Sequence, residues 1–280
     1  GSWCIQNSYS FSIGKKIKTH IYHWDNKKKL IKDYSEVKKI YNQISKDLAI
    51  FLNKIHNKNF SQNYWEQIYG YWLLHYVVVI FDRYMIIKSL KKKNYIINKY
   101  NIEENNLVPN TFREARFLFQ NDIWNHKIFI ELLEILDFNF EVKKTYKIRN
   151  LEKKFKNKKN IFLILCSRIC KLFIKNNKIL VTSSYLSVLK ELLLNFKLNS
   201  LPSLCLFYKF SKKKANFIIR NTKFWNEKES VIIKIIKKDL LKNIPISYLE
   251  GYEEIRTEIN SDYFPKNPKS YCLLFCCFSL

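Results

Sequence analysis

The sequence predicts a helix-rich α/β protein, and three observations carry that expectation. In the first half, two long stretches place apolar residues every three to four positions, the spacing of one helix face. In the second half, short apolar runs of strand length alternate with helical patterns, as in a parallel sheet with crossover helices. Only 4 Gly and 5 Pro in 280 residues leave too few turn formers for a turn-dense all-β design, and 47% hydrophobic content is too high for a disordered chain.

Residues 1 to 25 are aromatic and irregular, ending in Tyr22-His23-Trp24-Asp25, after which Asp25 or Asn26 can cap a helix. From Leu30 to about Ile55 the residues Val37, Ile40, Ile44, Leu48 and Leu52 form an apolar stripe beside a lysine-rich face. Ser61 can cap a second helix reaching Ser89, apolar on several sides and so expected in the middle of the domain. Gly70 costs that helix about 1 kcal/mol against Ala, which predicts close approach of another backbone. Lys91 to Asn106 reads as a charged connector. Thr111-Phe112-Arg113-Glu114 has capping-box spacing and opens one or two helices to about Leu136, and Lys143 to Asn160 reads as a solvated lysine run.

Strands are expected at Ile161 to Cys166, Ile179 to Thr182, Leu204 to Phe210 and Phe217 to Ile219, with helices over Tyr185 to Phe196 and Val231 to Leu241. Ser247-Tyr248-Leu249-Glu250 has the spacing of a second capping box. The organisation predicted is a helical subdomain with its N-terminal aromatic segment over 1–142, an α/β layer over 161–270, and a tail at 271–280 without charge. That tail is expected to be non-native or truncated sequence, poorly ordered or loosely docked.

The formal charge of +26 suggests nucleic acid or an anionic membrane. Its makeup argues against nucleic acid: nearly all of it is Lys, with AT-rich codons, while Arg83, Arg113, Arg116, Arg149, Arg168, Arg220 and Arg256 are scattered, and Arg is the residue that reads phosphates and guanines bidentately. No specific nucleic-acid partner is expected. The alternatives are a basic peripheral protein held on anionic lipid or nucleic acid by charge, for which the lysines must gather on one face, or a non-functional fragment. No run approaches eighteen apolar residues, so no membrane span is expected, although peripheral membrane contact is compatible with the charge. Seven cysteines without a C-x-x-C pair or zinc-finger spacing read as reduced thiols of a cytoplasmic protein, with no metal site.

No phosphate-binding glycine loop, nucleophile elbow or zincin motif occurs. Polar residues set among aromatics remain. His75 and Asp82 are seven apart on one helix, and Arg83 follows, so a carboxylate could raise an imidazole's basicity while the arginine offsets phosphate charge. A buried Asp–Arg or Asp–His pair that fixes packing explains the same residues. His23-Trp24-Asp25 and Trp124-Asn125-His126 each set an aromatic ring beside hydrogen-bonding groups suited to sugar hydroxyls, and helix capping or core anchoring explains them as well.

Gly1-Ser2-Trp3-Cys4, Tyr22-His23-Trp24-Asp25, Leu52-Asn53 to His56, Tyr64-Trp65 with Gly70 and Trp72-Leu73, Phe81-Asp82-Arg83-Tyr84, and Asp122-Ile123-Trp124-Asn125-His126 occur in one order along the chain. Tyr248-Leu249-Glu250-Gly251-Tyr252 and Phe264-Pro265-Lys266-Asn267-Pro268-Lys269 follow. This set resembles the transferase family first named from the Leptospira O-antigen locus, over nearly the whole chain. The chain departs from that pattern at Ser2, where an acid is usual, at Glu66, where Arg is usual, and at Tyr71, where Pro is usual.

The resemblance implies a bacterial, cytoplasmic transferase, at the inner face of the membrane, of the GT-B-like glycosyltransferase kind. It would act in surface polysaccharide or O-antigen biosynthesis. No cofactor is implied: a nucleotide-sugar is the donor substrate and a saccharide the acceptor. His23, Asp25, Asp82, Arg83 and His126 would carry the chemistry, and Trp24, Trp65, Trp72, Trp124 and Asn125 would bind substrate. Family members are about twice as long, so the chain is expected to be an incomplete N-terminal portion, inactive alone, with Asp82 and Arg83 buried or facing a cleft beside His75 or an N-terminal aromatic.

Overall fold

Asn26 starts the first helix, α1 (Lys27–His56), by accepting the Lys29 amide hydrogen at 3.1 Å, and Asn57 ends it in the left-handed conformation with φ of 50°. The computed structural model describes residues 21–148, 179–181, 187–198, 213–258 and 270–272. Ser61 caps α2 (Gln62–Lys88) through the Tyr64 amide at 3.2 Å, and α2 runs back along α1. Their seam buries Val37, Ile40, Ile44, Leu48 and Leu52 against Trp65, Tyr69, Trp72 and Leu73. Each such side chain contributes about 1.5–3 kcal/mol. Gly70 sits in this seam, and the close approach comes from a side chain of α1: a Cβ there would lie 3.0 Å from the Tyr41 hydroxyl.

By length and composition α2 is the one helix among the described residues able to cross a membrane, but 56% of its apolar window is buried inside the protein. Its apolarity on all sides is that of a central core helix.

The segment read as a connector contains β1 (Tyr95–Ile102), followed by a 3-10 turn at Glu104–Leu107. Thr111 caps α3 (Phe112–Gln120) and Asn121 caps α4 (Asp122–Ile135). The capping box at Thr111 is half made, because the Glu114 carboxylate accepts from the Asn110 amide at 2.8 Å and not from that of Thr111. The start of the lysine run is likewise a strand, β2 (Phe140–Ile148), which pairs in parallel with β1 from Tyr95 opposite Phe140 to Ile102 opposite Ile148, with an irregularity after Ile97. Lysine content hides both strands, since Lys143, Lys144 and Lys147 are solvated as expected while the Ile, Val, Thr and Tyr residues between favour extended backbone. Tyr100 and Tyr146 stack across the pair with centroids 5.5 Å apart.

In the second half, β3 (Ile179–Val181) pairs in parallel with β4 (Ser270–Cys272), so the first residues of the expected tail lie in a strand; 273–280 fall outside the described residues. The strands expected at Ile161 to Cys166 and Leu204 to Phe210 also fall outside them. α5 (Val188–Lys197) matches the helix expected to end near Phe196. The strand expected at Phe217 is instead a short helix, α6 (Phe217–Arg220), because the Asn216 side chain accepts from the amides of Ile218 and Ile219 at 3.0 and 3.4 Å. The helix expected over Val231 to Leu241 divides at Asp239 into α7 (Val231–Lys238) and α8 (Leu240–Asn243), followed by α9 (Tyr252–Glu258).

Together the described elements make a helix-rich chain with two small parallel strand pairs, consistent with α/β. Residues of α7 to α9 share one core with α1 to α4. The Tyr76 hydroxyl donates to the Ile236 carbonyl at 3.1 Å, Trp124 Nε1 donates to Asn243 Oδ1 at 2.9 Å, and the amides of Ile246 and Ser247 bond the carbonyls of Pro109 and Asn110.

Candidate functional site

The 3-10 turn His23–Asp25 precedes α1 and brings three rings together, with His23 4.7 Å from Trp24 and 5.0 Å from Tyr22 between centroids. Asn26 caps the helix that follows, and one bond pins the turn to it: Trp24 Nε1 donates to Asp33 Oδ2 at 3.1 Å, an oxygen that also accepts from Lys29 Nζ within α1 at 2.6 Å. Asp33 lies on the buried seam of α1, where an acid requires such partners.

His23 thereby faces α2. Its Nε2–H donates to Asp82 Oδ1 at 2.9 Å, and its Nδ1, buried and without a hydrogen bond, stands 3.7 Å from Asp33 Oδ2. The imidazole is 5% exposed between two carboxylates that are 4% and 6% exposed. Each carboxylate has its own cation, Lys29 for Asp33 and Arg83 Nη1 for the second oxygen of Asp82. Burial first, then the Asp82 charge and its hydrogen bond, holds the Tyr22 phenol well above its ordinary range, so this hydroxyl stays protonated beside Asp82.

Arg83 extends the network to α4. Its Nε donates to Asn125 Oδ1 at 3.0 Å, while the Asn125 amide group donates to the carbonyls of Phe119 and Asn121, both at 2.9 Å. With both amide hydrogens engaged, Asn125 can offer Arg83 only its oxygen. The guanidinium lies 5.9 Å from the Phe129 ring centre and its side chain is 23% exposed, more open than His23, Asp33 and Asp82.

The structure therefore joins His23, Trp24, Asp82, Arg83 and Asn125, from three separate stretches of chain, and adds Asp33. Asp33 belongs to no motif; its only sequence signal is a lone acid on the apolar spacing of Val37, Ile40 and Ile44. Asp25 lies at the exposed rim, close enough to act on Tyr22. His126 stands elsewhere, bonding the Asn98 carbonyl and meeting Tyr100 edge-on at 4.8 Å. Trp65, Trp72 and Trp124 are core residues with rings 0%, 0% and 1% exposed. The expected neighbour His75 does not reach Asp82: seven residues of helix separate them by about 10 Å, and His75 instead bonds the Tyr71 carbonyl and packs on Phe112. An N-terminal aromatic segment supplies the partner, as the alternative expectation had it. Among the described residues no group of three or more His, Cys, Asp or Glu is placed to hold a metal ion.

The family model for LIC12162 family transferases matches residues 1–274. The chain belongs to that family. No curated protein and no solved structure matches it. The resemblance drawn from the motifs holds at the level of a transferase family.

Other motif residues of this LIC12162 family transferase meet in a second cluster. Asn53 Oδ1 accepts from Trp65 Nε1 and the Phe60 amide, and His56 stacks on Trp65 at 5.7 Å. The hydroxyls of Tyr64 and Tyr252 bond at 2.6 Å. Burial lowers the His56 pKa, which keeps the ring neutral among these aromatics. The cluster joins α1, α2 and α9 and explains why these residue types are needed together.

A third feature has no motif at all. Glu131 and Asp239 share a narrow cleft lined by Tyr76, Ile80, Ile128 and Ile235. Burial, then the Asp239 charge, pushes the Glu131 carboxyl up to about 8, against a smaller downward pull from Lys127.

Proposed function

We propose that the chain serves in a glycosyltransferase of the GT-B kind, which moves a sugar from a nucleotide-sugar to a saccharide acceptor in surface polysaccharide or O-antigen synthesis at the cytoplasmic face of the membrane. The observation that carries the site is the buried His23–Asp82 hydrogen bond beside the partly open Arg83. Membership of a transferase family supports the reaction class.

In this reading Arg83, oriented by Asn125, offsets the donor diphosphate charge. The acceptor oxygen forms a bond to the anomeric carbon as the bond from that carbon to the diphosphate oxygen breaks. The nucleoside diphosphate leaves with the electron pair, and the acceptor proton passes to His23 Nδ1, while Nε2–H stays bonded to Asp82. Asp25 and His126 stand outside the network described and would serve the acceptor side, and Trp24 would border the sugar. Trp65, Trp72 and Trp124 would act only through the core that holds the site.

The test is transfer and donor hydrolysis with uridine, guanosine and cytidine nucleotide-sugars by the full-length protein, as wild type and with His23→Ala or Asp82→Asn, each checked for folding by circular dichroism. A loss of about 100-fold or more in both folded variants is expected. Wild-type turnover in both overturns the site, and failure of every nucleotide-sugar to bind by calorimetry overturns the donor class.

A further inference from the structure

The first three turns of α1 carry apolar side chains that the core does not use. Leu30, Ile31 and Tyr34 are 42%, 60% and 67% exposed, and Ile21, just before the 3-10 turn, is 81% exposed. Leu30 and Tyr34 are four apart, as are Lys27 and Ile31, and Tyr34 and Lys38, so these side chains are surface neighbours on the helix. Lys28, three residues before Ile31, adds to the positive charge beside it. Of the acids, Asp33 is buried and holds Lys29, Asp25 is exposed before the helix, and Glu36, four residues after Lys32 and three before Lys39, lies beside those lysines on the side away from Ile31 and Tyr34.

We propose that this face of α1 is a docking surface for an anionic lipid bilayer. A bilayer interface takes both halves of the patch, with Ile31, Leu30 and Tyr34 entering the headgroup boundary and Lys27, Lys28 and Lys38 meeting lipid phosphates. Nucleic acid would use the lysines and leave the apolar side chains in water. A second copy related by a two-fold axis would bring equal sets of lysines face to face. The surface adjoins the candidate site, because the same turns hold Lys29 and Asp33. It rests on exposure and charge and stands whether or not the transfer reading does.

The experiment is co-sedimentation with vesicles of phosphatidylcholine alone and of equimolar phosphatidylcholine and phosphatidylglycerol. The proteins are wild type, Ile31→Ser with Tyr34→Ser, Lys27→Glu with Lys38→Glu, and a control with the same charge change on the exposed strand β2, Lys143→Glu with Lys147→Glu. Wild type is expected to bind the anionic vesicles and not the neutral ones. Both α1 variants should lose about tenfold or more in affinity, while the control stays near wild type, all four giving the same circular dichroism spectrum. Equal losses in the control and the α1 variants would show charge acting without a defined surface and overturn the proposal. So would unchanged binding by the Ile31/Tyr34 variant, binding to duplex DNA that the same variants abolish, or a dimer that the same variants dissociate.

Discussion

Arg220 and Glu250 meet through two parallel hydrogen bonds, Nε to Oε1 and Nη2 to Oε2, both at 2.6 Å. The guanidinium is fully buried and its Nη1 donates to the carbonyls of Leu241 and Ile244, both at 2.8 Å, while Glu250 Oε1 also accepts the Asn216 amide. Glu250 therefore does not cap a helix, although it occupies the fourth position of a capping-box spacing. It ties α6 and α8 to the turn before α9.

Glu250→Ala should destabilise the protein by about 3–5 kcal/mol, since it leaves a buried guanidinium without its carboxylate. Urea denaturation reads this directly. A change below about 0.5 kcal/mol would mean that water replaces Glu250 without cost.

His23 and Asp82 should be energetically coupled. In a double-mutant cycle with His23→Ala and Asp82→Asn, an interaction of about 0.5–3 kcal/mol is expected from denaturant midpoints. Strict additivity would place the two residues out of contact in solution.

Stability should fall as pH rises through the neutral range because of Glu131. Its folded pKa, about 8, lies above its ordinary 4.5. Below 4.5 the group is protonated folded and unfolded, so its burial carries no ionisation penalty. Between 4.5 and 8 the unfolded chain loses the proton first, and above 8 the full penalty is in place. Glu131→Gln should thus gain stability relative to wild type progressively over that window and level off beyond it. A difference between the two proteins that does not vary with pH would sink this reading.

Gly70 and Tyr41 should depend on each other. Alone, Gly70→Ala sets a methyl group 3.0 Å from the Tyr41 hydroxyl and offsets part or all of the helix gain. With Tyr41→Phe present, the same change should stabilise by nearly the full helix propensity difference of about 1 kcal/mol. Identical effects in both backgrounds, measured by thermal melting, would remove Tyr41 from the explanation.

Local spacing made α1, α2 and the start of α3 legible, with Asn26, Ser61 and Thr111 as caps, because a cap and an apolar stripe act within one or two turns, while the cap at Asn121 that divides α3 from α4 was not read. β1 and β2 were not legible. Their lysines and asparagines describe the solvent face truthfully but say nothing of a partner strand that lies beyond two intervening helices. Phe217-Ile218-Ile219 is apolar enough for a strand, and only the capping by Asn216 and the inward pull on Arg220 make it helical.

Sequence by itself determined the helix-rich α/β class, the amphipathic face of α1 and the burial of α2, the transferase family, and that Asp82 and Arg83 would not stand free in solvent. Tertiary structure alone decided that Asp82 pairs with His23, 59 residues away, and not with His75 on its own helix. It also decided that Glu250 pairs with Arg220, 30 residues away, and that Asp33 closes the far side of His23. The physical reason is range: periodicity and capping report on neighbours within about 10 Å along one element, whereas a buried carboxylate takes whichever cation or imidazole the packing of separate elements delivers.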